Sequence, residues 1–308
     1  MLELKRKGSE LVGPCPSCGG TDRFHVRREG QRAIVGCRGC IDGGGTGFSA
    51  VLRAAFPERF DRPVESRLAP SPVQSIDQEQ RRIRERESAA KKVQGRMKQC
   101  EFAQHDYLAS KGFQDHMALV SGNGWMMIPI SNDADKVRSA QYISSEGEKL
   151  FQPKGEIKGN FYRLGRNRRR GRNSEIWLVE GYATALSVRA ALRLRLRSYS
   201  PEIRICFSAQ NLSIVGKDAI EKGHTIFAVP DHDRWTCRNK HRWDGSLTES
   251  TCPECGTTQT TPPAGEYYAA MLKRPYWMPP DVGFDANDFH QKYGLDALAS
   301  ELVAFRFD

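Results

Sequence analysis

The sequence predicts a multidomain α+β protein: an N-terminal zinc ribbon, a basic β-rich subdomain, and an α/β domain whose parallel central sheet carries an inserted second zinc ribbon. The 308 residues suit two or three small units better than one. Two separate groups of cysteines have the spacings of zinc sites. The second half alternates apolar runs of strand length with helical segments, which predicts a parallel sheet with both faces covered.

Changes in composition along the chain predict five segments. Residues 57–75 carry four prolines and few apolar groups, which is typical of a linker. The alternating Arg and Glu that follow predict a solvated helix over 76–110. The predicted segments are a zinc-binding ribbon at 1–56, the linker at 57–75, a charged helical segment at 76–120, a basic β-rich subdomain at 121–173 and an α/β domain at 174–308.

The strands of the last two segments are predicted from apolar runs. In the basic subdomain these runs are WMMIPI, VRSAQYI and FYRL, and in the α/β domain they are IWLVE, ICFSA and TIFAVPD. Helices are predicted at 182–197 and 212–222, between the strands of the α/β domain. Ligands of such sheets bind at the carboxyl ends of the strands, so residues there are the first candidates for a site.

The charge of the chain favours a polyanionic partner. Lys and Arg number 47 against 37 Asp and Glu, which gives a net charge of +10. Nucleic acid fits this balance better than a membrane, although a merely basic surface would also produce it. No apolar run reaches the about 18 residues of a membrane span, and the N-terminus lacks the apolar core of a signal peptide. We therefore expect a cytoplasmic protein with reduced thiols and no membrane partner.

The first group of cysteines predicts a structural zinc site. Cys15 and Cys18 form one CxxC pair, and Cys37 and Cys40 form another after eighteen residues. Four thiolates complete a tetrahedral sphere, so this zinc would be structural. His25 could compete as a ligand, but its strand-like surroundings predict that it is not one. The arginines near His25 would suit contacts with phosphates, or form a solvated basic face.

Three carboxylates end two predicted strands of the α/β domain. Glu180 follows one strand, and Asp231 and Asp233 follow another. Because parallel strands end at the same sheet edge, we expect these acids to lie together, where they need a divalent cation or raised pKa values. The alternative is a helix N-terminal charge at Glu180 and a turn at 231–233. His232 is expected to be a turn residue, and Pro230 is unusual so close to a strand.

These motifs resemble those of a known family. Leu178-Val-Glu180-Gly181 followed by Asp231-x-Asp233 resembles the TOPRIM domain of bacterial-type primases, topoisomerases and some nucleases. Residues 138–162 are similar to the basic subdomain that precedes TOPRIM in primases. The tail 284–297 resembles the closing motif of phage and plasmid primases. Together with the N-terminal ribbon, this order is that of a TOPRIM-domain DNA primase of bacteriophage or plasmid type.

The resemblance implies an enzyme, a DNA-directed RNA polymerase that makes short RNA primers from NTPs on a single-stranded DNA template. It implies Mg²⁺ or Mn²⁺ at Asp231 and Asp233, with Glu180 as a metal organiser or as the proton acceptor for the attacking 3′-hydroxyl. Asp285 and Asp288 are further acidic candidates that could equally cap the last helix. The alternatives are a TOPRIM nuclease and a non-catalytic zinc-ribbon DNA-binding protein.

The resemblance also implies contacts with nucleotide or template. They fall on a set of basic residues: Arg138, Lys149, Lys158, Arg168, Arg169 and Arg170. The last three belong to the run RNRRRGR at 166–172, which is expected to be a loop available to phosphates. No G-x4-G-K-[ST] motif is present in the sequence, so a separate replicative helicase is the expected partner.

The second group of cysteines predicts another structural zinc site. Cys237, His241, Cys252 and Cys255 have the spacing C-x3-H-x10-C-x2-C, which supplies four tetrahedral ligands. They lie in an insert at 235–261, directly after the acidic motif. Basic and aromatic residues surround the ligands, and we expect the insert to contact template or primer.

Overall fold

The computed structural model describes most of the chain and divides it into two compact units. The described residues are 4–8, 10–15, 19–29, 32–37, 72–165, 174–196, 201–244, 250–259 and 262–307. One unit is Met1–Asp77 and the other is Gln78–Asp308. Among the described helices, none combines the length and apolar character that a membrane crossing needs.

The first unit contains an antiparallel sheet of four strands. These are β1 (Lys5–Lys7), β2 (Glu10–Cys15), β3 (Gly19–Glu29) and β4 (Arg32–Cys37), paired in sequence order. Phe24 on β3 is fully buried, which gives this small sheet an aromatic centre. His25 also lies on β3, so the prediction that it belongs to a strand is confirmed.

Two of the four cysteines of the first group, Cys15 and Cys37, lie in this sheet. Because β2 and β4 both run antiparallel to β3, their last residues, Cys15 and Cys37, lie at the same end of the sheet. Both cysteines are buried. Cys18 and Cys40 fall outside the described residues, so the four-cysteine zinc site stays a prediction.

Helix α1 (Pro72–Met97) differs from the predicted helix at both ends. It begins at Pro72, inside the predicted linker, because proline has the backbone angle of the first helical turn and no donor is needed there. It ends at Met97, not at residue 110, because the chain turns into a strand that begins at Glu101. Val93 and Met97 pack on Met127 and Ala140 of the following sheet.

An antiparallel sheet of five strands follows. In spatial and sequence order these are β5 (Glu101–Ala103), β6 (Ala118–Val120), β7 (Met126–Ser131), β8 (Val137–Ile143) and β9 (Lys149–Phe151). The short helix α2 (Asp106–Ser110) connects β5 with β6. The strands predicted from WMMIPI and VRSAQYI are confirmed as β7 and β8. The end of the predicted charged helical segment, after Met97, instead supplies β5 and β6.

A second sheet contains the predicted parallel strands. Its order is β10 (Tyr162–Leu164), β12 (Glu202–Ile205), β11 (Glu175–Val179) and β13 (Thr225–Val229). Strands β11, β12 and β13 are parallel, as predicted, and β10 is an antiparallel edge strand. The run FYRL was expected within the basic subdomain, but its strand pairs with β12. The run ICFSA was predicted as a strand, but it shares only Ile205 with β12. The strand ends there because Phe207 adopts a positive φ and Ser208 caps the next helix.

Helices cover both faces of this sheet. They are α3 (Tyr182–Arg195), α4 (Ala209–Glu221), α5 (Ala264–Ala270), α6 (Ala286–Tyr293) and α7 (Leu295–Phe307). Side chains alternate along β11, so Trp177 packs in the core with α3 and α7 while Ile176 and Leu178 pack in the core with α4. Burial on both faces explains why the strand is apolar at consecutive positions.

The two sheets of the second unit are joined directly. The backbones of Ser131 and Phe161 exchange two hydrogen bonds, of 2.9 and 3.0 Å. Arg204, which is only 2% exposed, lies over the Phe161 ring and forms an ion pair with Asp133 in the turn between β7 and β8. Lys222 pairs with the same carboxylate. These contacts fix the five-stranded sheet against the parallel sheet.

Candidate active site

Glu180 occupies the carboxyl end of β11, immediately before α3. Gly181 is the N-cap of α3 in an extended conformation, so the chain turns sharply at the acid. The Glu180 Oε1 atom accepts a hydrogen bond of 3.4 Å from the backbone N–H of Asp231. Burial, together with repulsion from Asp233 and Asp285, raises the pKa of Glu180 from 4.5 to about 7. This carboxyl can therefore exchange a proton near neutral pH.

Asp231 lies at the matching end of β13, opposite Glu180. Its Oδ1 atom is buried and has no hydrogen-bond partner among the described residues. Burial raises the pKa of Asp231 well above its usual range, and repulsion from Glu180, Asp285 and Asp233 adds to the effect. A buried carboxylate oxygen without a donor is costly unless a proton or a cation satisfies it.

Pro230 is explained by the sheet order. Strand β13 is at the edge of the sheet and ends at Val229, so no ladder bond is required from residue 230. Proline is tolerated at such positions because its missing N–H faces no partner strand. The residue therefore ends the strand directly before Asp231.

Asp233 connects the acidic edge to helix α5. Its Oδ2 atom accepts a hydrogen bond of 2.9 Å from the backbone N–H of Gly265. Residue 265 must be glycine, because any Cβ there would clash with the main-chain oxygen of Asp231. The start of α5 is thus held against the backbone that carries both aspartates.

His232 fixes the segment between the two aspartates. Its N–H donates to the Phe284 carbonyl at 2.9 Å, and its own carbonyl accepts from the Gly283 N–H at 2.5 Å. The Nδ1 atom lies 2.8 Å from the Pro279 carbonyl oxygen. These three contacts hold the backbone of the acidic segment in place. His232 therefore has a more specific structural role than the turn residue that was predicted.

Asp285 and Asp288 form a capping box at the start of α6. Asp285 accepts hydrogen bonds from the backbone N–H groups of Asn287 and Asp288, and Asp288 accepts one from the N–H of Asp285. The capping role is therefore confirmed. Asp285 also accepts from the Thr184 hydroxyl at 3.2 Å and raises the pKa values of Glu180 and Asp231. It caps a helix and belongs to the same acidic edge.

The carboxylates of the acidic edge do not form a compact group of metal ligands. Within the described ranges, the only group of three or more Asp, Glu, His or Cys side chains with all ligand atoms within 4.8 Å lies in the insert. The acidic edge is instead an open arrangement on two strand ends. Oxygen ligands, an unsatisfied buried Asp231 oxygen and mutual repulsion suit a hard divalent cation that keeps several water or phosphate ligands.

The predicted basic residues have different surroundings. Lys149 on β9 is exposed, its Nζ lies 5.9 Å from the centre of the Tyr107 ring, and its charge lowers the pKa of Asp231. Arg138 instead forms an ion pair with Glu156. Lys158 is exposed. Arg168, Arg169 and Arg170 fall outside the described residues. Of the described basic residues, Lys149 is thus the one whose charge acts on Asp231.

The insert brings its four predicted zinc ligands together. The ligand atoms of Cys237, His241, Cys252 and Cys255 all lie within 4.8 Å of one another. The sulfur atoms of Cys237 and Cys255 are 3.7 Å apart, which matches the edge of about 3.8 Å expected for a tetrahedron with Zn–S bonds of about 2.3 Å. Hydrogen bonds from Thr257 lower the pKa of Cys255 to about 6, which favours the thiolate.

A two-stranded hairpin supports these ligands. Strands β14 (Trp235–Thr236) and β15 (Arg242–Trp243) are antiparallel, and Trp235 pairs with Trp243. The two indole rings stack with centroids 6.0 Å apart and pack with Cys237 and Cys252. The module therefore has a small apolar core of its own, formed by the two tryptophans and the ligand cysteines.

Solved structures similar to this chain come from primases and a primase complex. A chain of the bacteriophage T7 lagging-strand DNA polymerase complex with the primase domains of two gp4 subunits is 10% identical, covers 68% of this chain and 92% of that chain, and has a TM-score of 0.39. The E. coli primase catalytic core is 14% identical, with 77% and 78% covered and a TM-score of 0.33. A DNA primase domain from Pseudomonas aeruginosa is 14% identical, with 58% and 50% covered and a TM-score of 0.36. No protein-family model matches the chain.

Three residues of the acidic edge are not predicted from the sequence. Tyr107 has its pKa raised to about 12 by burial and by the charges of Asp285, Asp288 and Asp231. Thr184 and Gly265 contact the aspartates directly. Only Gly265 leaves a sequence signal, because a glycine beside the start of a helix indicates close approach of another backbone.

Proposed function

We propose that this protein is a DNA primase, which synthesises short RNA primers from NTPs on a single-stranded DNA template. One observation carries the proposal: Glu180 and Asp231 meet at the carboxyl ends of two parallel strands, with a buried Asp231 oxygen that lacks a protein donor. Ligands of open α/β sheets bind at this edge. The resemblance of the acidic motifs to those of TOPRIM primases supports this substrate class over others.

Asp231 and Asp233 would hold a divalent cation in this proposal, and Glu180 would organise it or accept the proton of the attacking 3′-hydroxyl. Mg²⁺ or Mn²⁺ would bind the phosphates of the incoming NTP and stabilise the charge that develops as pyrophosphate leaves. Burial raises the pKa of Glu180, which makes it a better proton acceptor than an exposed carboxylate. The bond from the Gly265 N–H fixes Asp233 in place, which reduces reorganisation during the reaction.

The template and the incoming nucleotide would meet the basic side of the same edge. Lys149 is placed for this, because it is exposed on β9 and its charge acts on Asp231. We also assign Lys158 and the arginine run at 166–172 to phosphates. Arg138 would have to leave Glu156 to take part. The net charge of +10 agrees with binding of a polyanion.

The remaining partners follow from the same proposal. Zinc at Cys15, Cys18, Cys37 and Cys40 would hold the N-terminal ribbon, and zinc at the insert ligands would hold the second module. A separate replicative helicase would open the duplex ahead of the enzyme. We place the protein in the cytoplasm, which would be that of a bacterial host if a phage encodes it.

A primer-synthesis assay tests the function. Single-stranded template, labelled NTPs and Mg²⁺ or Mn²⁺ are supplied to the wild type and to the double variant Asp231→Ala, Asp233→Ala. Asp218→Ala with Glu221→Ala is the matched control, since it removes two charges from the end of α4. We expect short RNA products from the wild type and the control and none from the double variant. Products from the double variant would refute the site, and nicked DNA without synthesis would indicate a nuclease.

A further inference from the structure

A cavity of about 410 Å³ separates the inserted module from the acidic edge. Its volume lies in the range of small-molecule binding sites. Asp233 lines one side of it, and residues of the insert line another. The cavity-lining residues that carry charge are Asp233, Arg234 and Arg242. An anionic and a cationic wall thus face the same space.

The hairpin register directs Arg242 toward this cavity. Trp235 and Trp243 form one cross-strand pair and are buried in the module's core, whereas Thr236 and Arg242 form the adjacent pair and are exposed. Because side chains alternate along a strand, the second pair points away from that core. Across the described part of the chain, the Arg242 side chain has neither an ion pair nor a hydrogen bond, and the cavity is what it faces.

Arg234 is held at the other side of the cavity. Its Nε donates to Asp244 at 2.7 Å. Its guanidinium lies against Gly283, where an added Cβ would come within 3.1 Å of the Arg234 Cζ atom. Gly283 has a positive φ of 86° and also bonds to the His232 carbonyl. The cation is therefore tied to the same loop that holds the acidic segment.

We propose that this cavity binds the triphosphate of the incoming nucleotide, with Arg242 of the inserted module and Arg234, directly before it, as its phosphate ligands. The inference rests on the proposed function, because it assigns the substrate of that site. A triphosphate carries enough charge to bind two guanidinium groups and a cation at Asp233 together. A single DNA phosphodiester carries only one negative charge, which is too little to pair with both guanidinium groups and with the cation.

The insert's other cations provide an internal control. Arg238 and Lys240 are exposed but do not line the cavity. They remain available for the template or primer contact expected of the insert. The four Arg and Lys residues between positions 234 and 242 thus divide into a pair that lines the cavity and a pair that does not. Substitutions in the two pairs should affect different ligands.

The test is a pair of binding titrations on the full, zinc-loaded chain. Tripolyphosphate with Mg²⁺ is titrated by calorimetry, and a single-stranded oligonucleotide is titrated by fluorescence anisotropy. We expect Arg242→Ala to weaken tripolyphosphate binding by about tenfold or more, since the substitution removes charge-assisted hydrogen bonds to phosphate. Oligonucleotide binding should stay within twofold of the wild type. Arg238→Ala is the matched control and should leave tripolyphosphate binding unchanged.

Each outcome decides the inference. Loss of oligonucleotide binding in Arg242→Ala with unchanged tripolyphosphate binding would overturn it in favour of DNA phosphates, and no effect on either ligand would also overturn it. Zinc content shows whether a variant has folded, and Arg242→Lys, which keeps the charge, should recover part of the affinity.

If the wild type makes no primers but binds tripolyphosphate through Arg242, the proposed function fails alone. If primers are made and Arg242→Ala leaves the KM for NTPs unchanged, the inference fails alone.

Discussion

Substitution of Glu180 by glutamine should change how the stability of the protein depends on pH in the absence of Mg²⁺. The pKa of Glu180 rises from 4.5 to about 7 on folding, chiefly because the carboxyl is buried. The folded state therefore binds a proton more tightly than the unfolded state does. The stability from this group is fully present below pH 4.5 and is lost as the pH rises to about 7.

The size of the effect follows from that interval. One pH unit corresponds to about 1.4 kcal/mol, so the wild type should lose up to about 3.5 kcal/mol of unfolding free energy across it. Glutamine keeps the shape and does not ionise, so Glu180→Gln should have a flatter profile and exceed the wild type in stability above neutral pH. Millimolar Mg²⁺ should raise the stability of the wild type at pH 8 more than that of the variant.

The unfolding free energy is measured at a series of pH values by urea denaturation, with tryptophan fluorescence as the signal, in zinc-loaded protein without Mg²⁺. Glu221→Gln, an exposed acid at the end of α4, is the control and should follow the wild type. Equal slopes for the wild type and Glu180→Gln between pH 5 and 7 would refute the reasoning. That result would mean that Glu180 is not the proton-binding group of the acidic edge.

Three further changes test other parts of the structure. Gly265→Ala should reduce metal-dependent activity by tenfold or more, because the new Cβ displaces the Asp231 backbone; normal synthesis kinetics would contradict the close approach. Cys252→Ser should lower the zinc content by one ion per chain, as measured by atomic absorption, since the site loses one of four ligands; an unchanged zinc content would exclude this ligand set. Asp285→Ala should cost about 1 kcal/mol of unfolding free energy through loss of the α6 cap, and a thermal midpoint equal to that of the wild type would argue against the capping box.

Local sequence patterns predicted the parts of the fold that depend on periodicity. The apolar run around Trp177 and the run TIFAV identified two neighbouring parallel strands, because strands whose two faces are both covered are apolar at consecutive positions. The same runs placed Glu180 and Asp231 at one edge, and the structure shows them in contact. The spacing of Cys237, His241, Cys252 and Cys255 was sufficient to predict that these four side chains come together, because tetrahedral zinc coordination requires such a spacing.

Features that depend on contacts between residues far apart in the sequence could not be predicted from local sequence patterns. Helix α1 was predicted too far toward the C-terminus, because nothing in the charged sequence shows that β5 will pair with β6 after Met97. Tyr107 reaches the acidic edge only through the packing of α2, and Arg138 is neutralised by an acid eighteen residues away. Such pairings depend on the tertiary arrangement, which local periodicity does not encode.

The hydrogen bond between Asp233 and Gly265 joins the two ends of the inserted module, so it bears on how well the chain tolerates inserts of different length at this position. The two residues are 32 positions apart, yet their contact lies outside the module. Each doubling of a flexible loop adds only about 0.6 kcal/mol to its closure entropy, so loops of about 4 and about 32 residues differ by roughly 2 kcal/mol. The junction between Asp233 and α5 can therefore accept segments of very different length while the start of α5 keeps its place, which makes it a natural point for exchanging small domains.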